Sequence, residues 1–259
     1  MPEERKKRRQ IEREFGVPFA GEILDPSQWT QTALKKLPGE GPLDLSSLFG
    51  RTAPLVVDLG CGNGRFLLGS AVWRPECDHL GIDILPVVIR YATRRGNRRG
   101  LTNLRFAVSD AVRLLERYLP QHSVAEIHCY HPQPYYEPSQ THLRLITPSF
   151  LALVHRTLES GGQFFIQTDN PGYWRYIRDI VPVFFAFHER IGRWPDAPKG
   201  RTRREILALR RGLPIFRGSG TARLGLSATE ALRLAEGLPP PMFDADRRLR
   251  ELDEWEPGS

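Results

Sequence analysis

The chain has 259 residues and no apolar run long enough to span a bilayer, so no membrane-embedded segment is expected. Its N-terminus is charged and lacks the apolar core of a signal peptide. Cysteine is scarce. Cys61, Cys77 and Cys129 are odd in number and show no Cys-x-x-Cys spacing. That argues against a structural zinc site and for a reducing, cytoplasmic setting, with no metal expected. No internal repeat is visible. Acid is in deficit: 30 Asp and Glu face 37 Lys and Arg, giving a net charge of +7 and a sequence pI of about 9.6. The excess favours an anionic partner, nucleic acid first. Hydrophobic residues at 40% suffice for a sizeable core, and charged residues at 26% keep the class globular. The length fits one α/β domain with extensions, or at most two small domains.

The most informative stretch is PLVVDLGCGNGRFLLGSAVWRPECDHLGID, from Pro54 to Asp83. An apolar run, Leu55-Val56-Val57, is closed by Asp58. Gly60, Gly62 and Gly64 follow at alternate positions, then a helix-like run from Arg65 to Val72 and a second apolar segment ending in Asp83. This reads as strand, glycine turn, helix, strand. Glycines let the backbone turn sharply and approach a ligand without a Cβ in the way. An acid at the end of the second strand stands where a ribose needs an acceptor. A dinucleotide fingerprint is absent, because the third glycine of Gly-x-Gly-x-x-Gly would fall on Arg65. The pattern Asp-x-Gly-x-Gly-x-Gly with a later acid instead resembles the S-adenosylmethionine (SAM) site of Rossmann-like methyltransferases.

In chain order, residues 1–50 read as a basic arm, with RKKRR at positions 5–9, and a Gly/Pro/Ser-rich lead-in carrying Trp29. The arm is either a solvated end or a phosphate-binding tail. Val87 to Arg99 reads as a helix on which Arg90, Arg94 and Arg98 share a face, with Arg95 and Arg99 beside them and no acid partner in view. Two readings stand for this stripe: a solubilising face, or contact with phosphates. Strands are expected at Asn103–Val108, Val124–Tyr130, Gln163–Gln167, Phe184–Arg190 and Leu213–Phe216. Helices are expected at Pro148–Leu158, closed by Gly161-Gly162, then at Tyr173–Val181 and Glu205–Arg211. The fourth strand runs into His131-Pro132-Gln133-Pro134-Tyr135-Tyr136, a proline-locked aromatic loop suited to a flat substrate. A basic loop, GRWPDAPKGRTRR, occupies residues 192–204 and is a further candidate for phosphate contact. Residues 219–259 read as an appendage, leaving 51–218 as the main domain.

Taken together, PLVVDLGCGNGRFLL, HLGIDI, NLRFAVSDAVRLL with LPQHSVAEIHCYHPQP, FLALVHRTLESGGQFFIQTDNPGY and TRREILALRRGLPIF resemble the tRNA (guanine-N7)-methyltransferase family. The match covers roughly residues 50 to 217, and its most telling part is Thr202 and Glu205 followed by Gly212 and Ile215. The resemblance implies a Rossmann-like α/β fold, a mostly parallel sheet with helices on both faces, SAM as cofactor and tRNA as partner. It places Asp58, Gly60 and Gly62 at the methionine part of SAM, Asp83 and Ile84 at the ribose, and Asp110 with Ala111 at the adenine. Gln133, Tyr135, Arg144, Asp169, Thr202 and Glu205 would surround the guanine, with Gln133 and Asp169 closest to the chemistry. The chain departs from the family at the strand-four loop, where Pro132-Gln133-Pro134-Tyr135 replaces Pro-Asp-Pro-Trp and His131 replaces Phe. It departs again at Ser139–Arg144, where a basic run is reduced mainly to Arg144, with Leu143 before it.

Guanine N7 carries a lone pair and no proton, so transfer needs alignment rather than a base. A carboxylate would offset developing charge. Gln133 offers an acceptor oxygen without full charge, so weakened or redirected transfer is expected. Two alternatives stay open: a different acceptor such as an exocyclic amine, and a silent RNA-binding relative. Oligomeric state is not fixed by the sequence, and a monomer is the expectation.

Overall fold

The computed structural model describes residues 11–39 and 41–253. The RKKRR arm lies outside them. A short hairpin comes first, β1 (Arg13–Glu14) and β2 (Val17–Pro18), then a 3-10 turn at Pro26–Gln28 and helix α1 (Leu45–Phe49). The main body alternates strand and helix: β3 (Leu55–Leu59), α2 (Arg65–Trp73), β4 (Asp78–Asp83), α3 (Pro86–Asn97), β5 (Leu104–Val108). Next come α4 (Ala111–Arg113), a π-helical turn (Leu114–Tyr118), β6 (Val124–Tyr130), α5 (Pro148–Thr157), β7 (Leu158–Thr168), α6 (Pro171–Phe184) and β8 (Phe185–Glu189). The chain continues through α7 (Arg203–Arg210), β9 (Phe216–Ala222), α8 (Ala228–Glu236) and α9 (Arg250–Asp253).

Seven strands form one sheet in the order β5-β4-β3-β6-β7-β9-β8. The first five are parallel, and β9 is antiparallel to both β7 and β8. This is the mostly parallel α/β architecture expected. All of β3 is buried, as a central parallel strand covered on both faces must be. Alternation sorts its side chains: Leu55, Val57 and Leu59 join the core under α5 and α6, while Val56 joins the core under α2 and α3. Strand order reverses between β3 and β6. A crevice at the carboxyl ends of the strands opens at such a reversal.

Two strands differ from expectation. β7 starts at Leu158, straight after α5, so Gly161 and Gly162 lie within the strand and not at a helix cap. The β6–β7 register shifts between Val124 and Glu126, and a Cβ on Gly162 would crowd the carbonyls of Glu159 and Val124. The last strand starts at Phe216, where it was expected to end. Its sequence, FRGSGTA, carries little strand signal because Gly218 and Gly220 lie under Phe187 and Phe185 of β8, where a Cβ would collide. The expected division at 218/219 therefore falls inside β9. Beyond it, α8 packs on α5 and buries Ala231 and Ala235 in the main core, so this segment is part of the body. Among the described residues, no helix is long and apolar enough to cross a membrane.

Candidate active site

A cleft of about 270 Å³ opens at the switch between β3 and β6. One wall is the glycine turn after β3. Gly60 and Gly62 have φ of 78° and 52°, and a Cβ on either would meet no other atom within 4 Å. Both face open cleft. Gly64 serves differently: a Cβ there would press on Ala92 and Phe106, so it lets α2 pack against α3 and β5. Cys61, between them, is a buried filler whose thiol burial pushes well up, out of the reactive range.

Asp58 is 2% exposed, lines the cleft, and its Oδ1 has no hydrogen-bond partner. Burial, reinforced by the nearby Asp83 and only partly opposed by Arg201, pushes its pKa up to about 8. Asp83 accepts from the backbone N–H of Gly62 (3.0 Å) and of Leu85 (2.9 Å), which pins the end of β4 to the glycine turn. Burial raises its pKa, against these backbone donors. Ile84 is 60% exposed and forms an apolar lip beside it. Asp110 caps α4 by accepting from Arg113 N–H (2.9 Å) and, with Ala111, lines the far end. An orphaned carboxylate oxygen, a second acid and a glycine floor open to the cleft fit a cationic ligand with a sugar hydroxyl pair. S-adenosylmethionine has that chemistry. Among the described residues no cluster of His, Cys, Asp or Glu is arranged to hold a metal.

The opposite wall is the loop after β6. His131 and Tyr135 hold φ of 53° and 44°, a strained region for residues other than glycine. Between them Pro132 and Pro134 are buried, and Gln133 is exposed to the cleft. Arg144 holds this loop. Its guanidinium donates to the carbonyls of Pro134 (2.7 Å), Tyr135 (3.0 Å) and Pro241 (2.7 Å), and lies 3.7 Å from the Phe243 ring centre. Only 3% exposed, it is a clamp between the loop and the C-terminal segment and not a surface contact for a substrate.

Three other expected residues sit behind the cleft surface or are otherwise engaged. Asp169, at the end of β7, is buried and accepts from Arg204 Nε at 2.7 Å, with His131 Nδ1 at 3.5 Å. Burial alone would raise its pKa; His131 and Arg204 outweigh that and hold it below the usual carboxylate range. Thr202 lines the cleft, but its hydroxyl accepts from Glu205 N–H (3.1 Å) as the cap of α7. Glu205 is fully buried, pairs with Arg217 and accepts from Arg201 N–H (2.7 Å); it does not reach the cleft.

Gln167 and Glu14 escaped the sequence reading as site residues, and Arg203 and Arg204 entered it only as part of a basic loop. The Gln167 side-chain Oε1 accepts from Trp194 Nε1 (2.7 Å), so its amide N–H₂ points at His131 Nε2 (2.8 Å). His131 thus accepts at Nε2 and presents Nδ1–H to Asp169. Arg203 and Arg204 line the cleft from α7. Glu14, from the N-terminal hairpin, accepts from Asn63 Nδ2 (2.8 Å) and Arg203 (2.9 Å), joining the glycine turn to the α7 wall. No local pattern marks such contacts, because each joins segments far apart in the chain.

The expected arginine stripe divides. Arg95 and Arg99 turn inward to Glu12, at 2.8 and 3.2 Å, beside Phe19. Arg90 and Arg94 remain exposed. The basic loop turns inward too: Arg201 bonds Asp196 and Tyr130, Arg203 bonds Glu14 and Arg204 bonds Asp169.

A family model described as "Putative methyltransferase" matches residues 52–217. The tRNA (guanine-N(7)-)-methyltransferase of Halorhodospira halophila is 32% identical over 188 residues, 71% of this chain and 81% of that protein. The protein of the same description from Alcanivorax borkumensis is 30% identical over 190 residues, covering 73% and 79%. Among solved structures, the 16S rRNA methyltransferase KamB superposes with a TM-score of 0.54 at 16% identity, covering 74% of this chain and 98% of that one, a likeness of fold. With a matched span that runs from the lead into β3 to β9 and takes in both walls of the cleft, the chain belongs to the tRNA (guanine-N7)-methyltransferase family.

Proposed function

We propose that the protein transfers a methyl group from SAM to N7 of a guanine in tRNA. The observation that carries this reading is the two-sided cleft at the strand-order switch. One side has an unsatisfied acid and a bare glycine floor; the other has a proline-framed loop held in strained geometry. Asp58, Gly60, Gly62 and Asp83 would hold the cofactor, with Ile84, Asp110 and Ala111 bounding its base. Bound there, SAM supplies an electrophilic methyl group carried on a sulfonium.

The chain's own residues have a limited task, since N7 of neutral guanine needs no deprotonation. Pro132 and Pro134 restrict the backbone on both sides of Gln133, so the amide is presented in one direction. Its oxygen orients an edge of the base, and Tyr135 offers a flat flank. Asp169, paired with Arg204 and facing His131 behind the wall, fixes those two side chains at the cleft rather than adding net negative charge to it. Alignment carries most of the barrier reduction.

The test is methyl incorporation into unmodified tRNA at saturating SAM, with the product nucleoside identified. The wild type should yield 7-methylguanosine. Gln133→Asp should raise the rate about tenfold, which needs only about 1.4 kcal/mol of added transition-state stabilisation. Label in an exocyclic methyl group, or no label, would contradict the proposal.

A further inference from the structure

Away from the cleft, a groove of about 400 Å³ follows the outer face of α3, lined among others by Trp29, Ile89, Arg90, Arg94 and Arg98. The three arginines are spaced i, i+4, i+8, a rise of about 12 Å along one helix face. Unlike Arg95 and Arg99, their side chains make no ion pair or hydrogen bond with a described residue. Two lining residues carry buried polar atoms without partners, Arg98 Nε and Thr93 Oγ1. Trp29 is 45% exposed, yet fixed in place: its indole N–H donates to the Leu24 carbonyl at 3.1 Å. No aromatic ring or guanidinium of the described residues stacks on it.

A held, uncovered indole beside a row of unpaired cations is the arrangement that binds single-stranded nucleic acid, with a base on the ring and phosphates on the cations. A base within a duplex has both faces stacked, so the ring calls for an unpaired nucleotide. The groove and the cleft share the first turn of α3: Leu85 and Val88 line the cleft, while Pro86 and Ile89 line the groove. One RNA can reach both. We propose that this groove binds an unpaired segment of the same tRNA whose guanine enters the cleft, one base on Trp29 and flanking phosphates on Arg90, Arg94 and Arg98. This rests on the tRNA reading above.

The experiment measures tRNA affinity against salt, together with kcat and KM for tRNA. It compares wild type, Trp29→Ala, Trp29→Phe and the triple variant Arg90→Ala/Arg94→Ala/Arg98→Ala, with S-adenosylhomocysteine affinity as the check on folding. The triple variant should raise KM at least tenfold with kcat kept, and flatten the log–log salt slope by about 2, at about 0.7 per lost single-strand phosphate contact. Trp29→Ala should weaken binding about tenfold without changing the slope, and Trp29→Phe should restore most of it. If the wild type binds and methylates tRNA while the variants match it in KM and slope, the groove proposal fails and the cleft reading stands. If the wild type neither binds nor methylates tRNA, both fall. A loss from Trp29→Ala that Trp29→Phe does not restore would overturn the stacking role.

Discussion

At the scale of single residues, Asp58 is the most unusual group in the cleft. Its ordinary pKa of 3.8 is pushed to about 8 by burial and by Asp83. Between those values the folded protein binds a proton that the unfolded chain does not. This group's contribution to stability therefore falls as pH rises from about 4 to about 8. A cation in the cleft reverses the preference and favours the ionised form. Binding of SAM at pH 7 should then release close to one proton. Calorimetry in buffers of different ionisation enthalpy should show it, and Asp58→Asn should abolish it. Equal proton release by the two proteins would refute this account of Asp58. The residue was legible in the sequence, because an acid closing an apolar strand before a glycine turn is a local pattern. His131 and Arg204 were not legible. Their meaning arises only when β6, β7 and α7 converge on Asp169.

At the scale of elements, the loop after β6 shows how strain is held in place. Left-handed φ at His131 and Tyr135 costs on the order of 1–3 kcal/mol each. Arg144 opposes it by satisfying the carbonyls of Pro134 and Tyr135. Sequence position alone suggested a substrate contact for Arg144, since an arginine's charge says nothing of which way it turns. Its burial makes a different prediction. Arg144→Ala should lower unfolding stability by about 1–3 kcal/mol, read from the denaturation midpoint, because buried carbonyls lose their donor. It should leave the salt slope of tRNA binding unchanged. A flattened slope with unaltered stability would restore a direct contact with the substrate. The strands divide in the same way. β3 was readable because burial on both faces demands an apolar run. β9 was not, since close approach to Phe185 and Phe187 demands glycine where strand propensity asks for branched side chains.

At the scale of the whole molecule, a net charge of +7 suits an anionic partner, but the fold distributes it unevenly. Arg95, Arg99, Arg201, Arg203 and Arg204 are engaged internally, whereas Arg90 and Arg94 on the outer face of α3 stay exposed. The C-terminal segment read as an appendage in sequence, with two short helical patterns on either side of Pro239-Pro240-Pro241. Its apolar residues complete the core over α5, and Pro241 and Phe243 brace Arg144. Cofactor wall, acceptor loop and C-terminal segment thus act as one body around the switch-point cleft. That unity is tested most directly by the rate of 7-methylguanosine formation in unmodified tRNA, measured against SAM concentration for wild type and Asp83→Ala. Losing the ribose acceptor, at about 1–3 kcal/mol, should raise the SAM concentration for half-maximal rate roughly 5- to 150-fold while the wild type makes 7-methylguanosine throughout. Identical half-saturation in the two proteins, or a wild-type product other than 7-methylguanosine, would contradict the account.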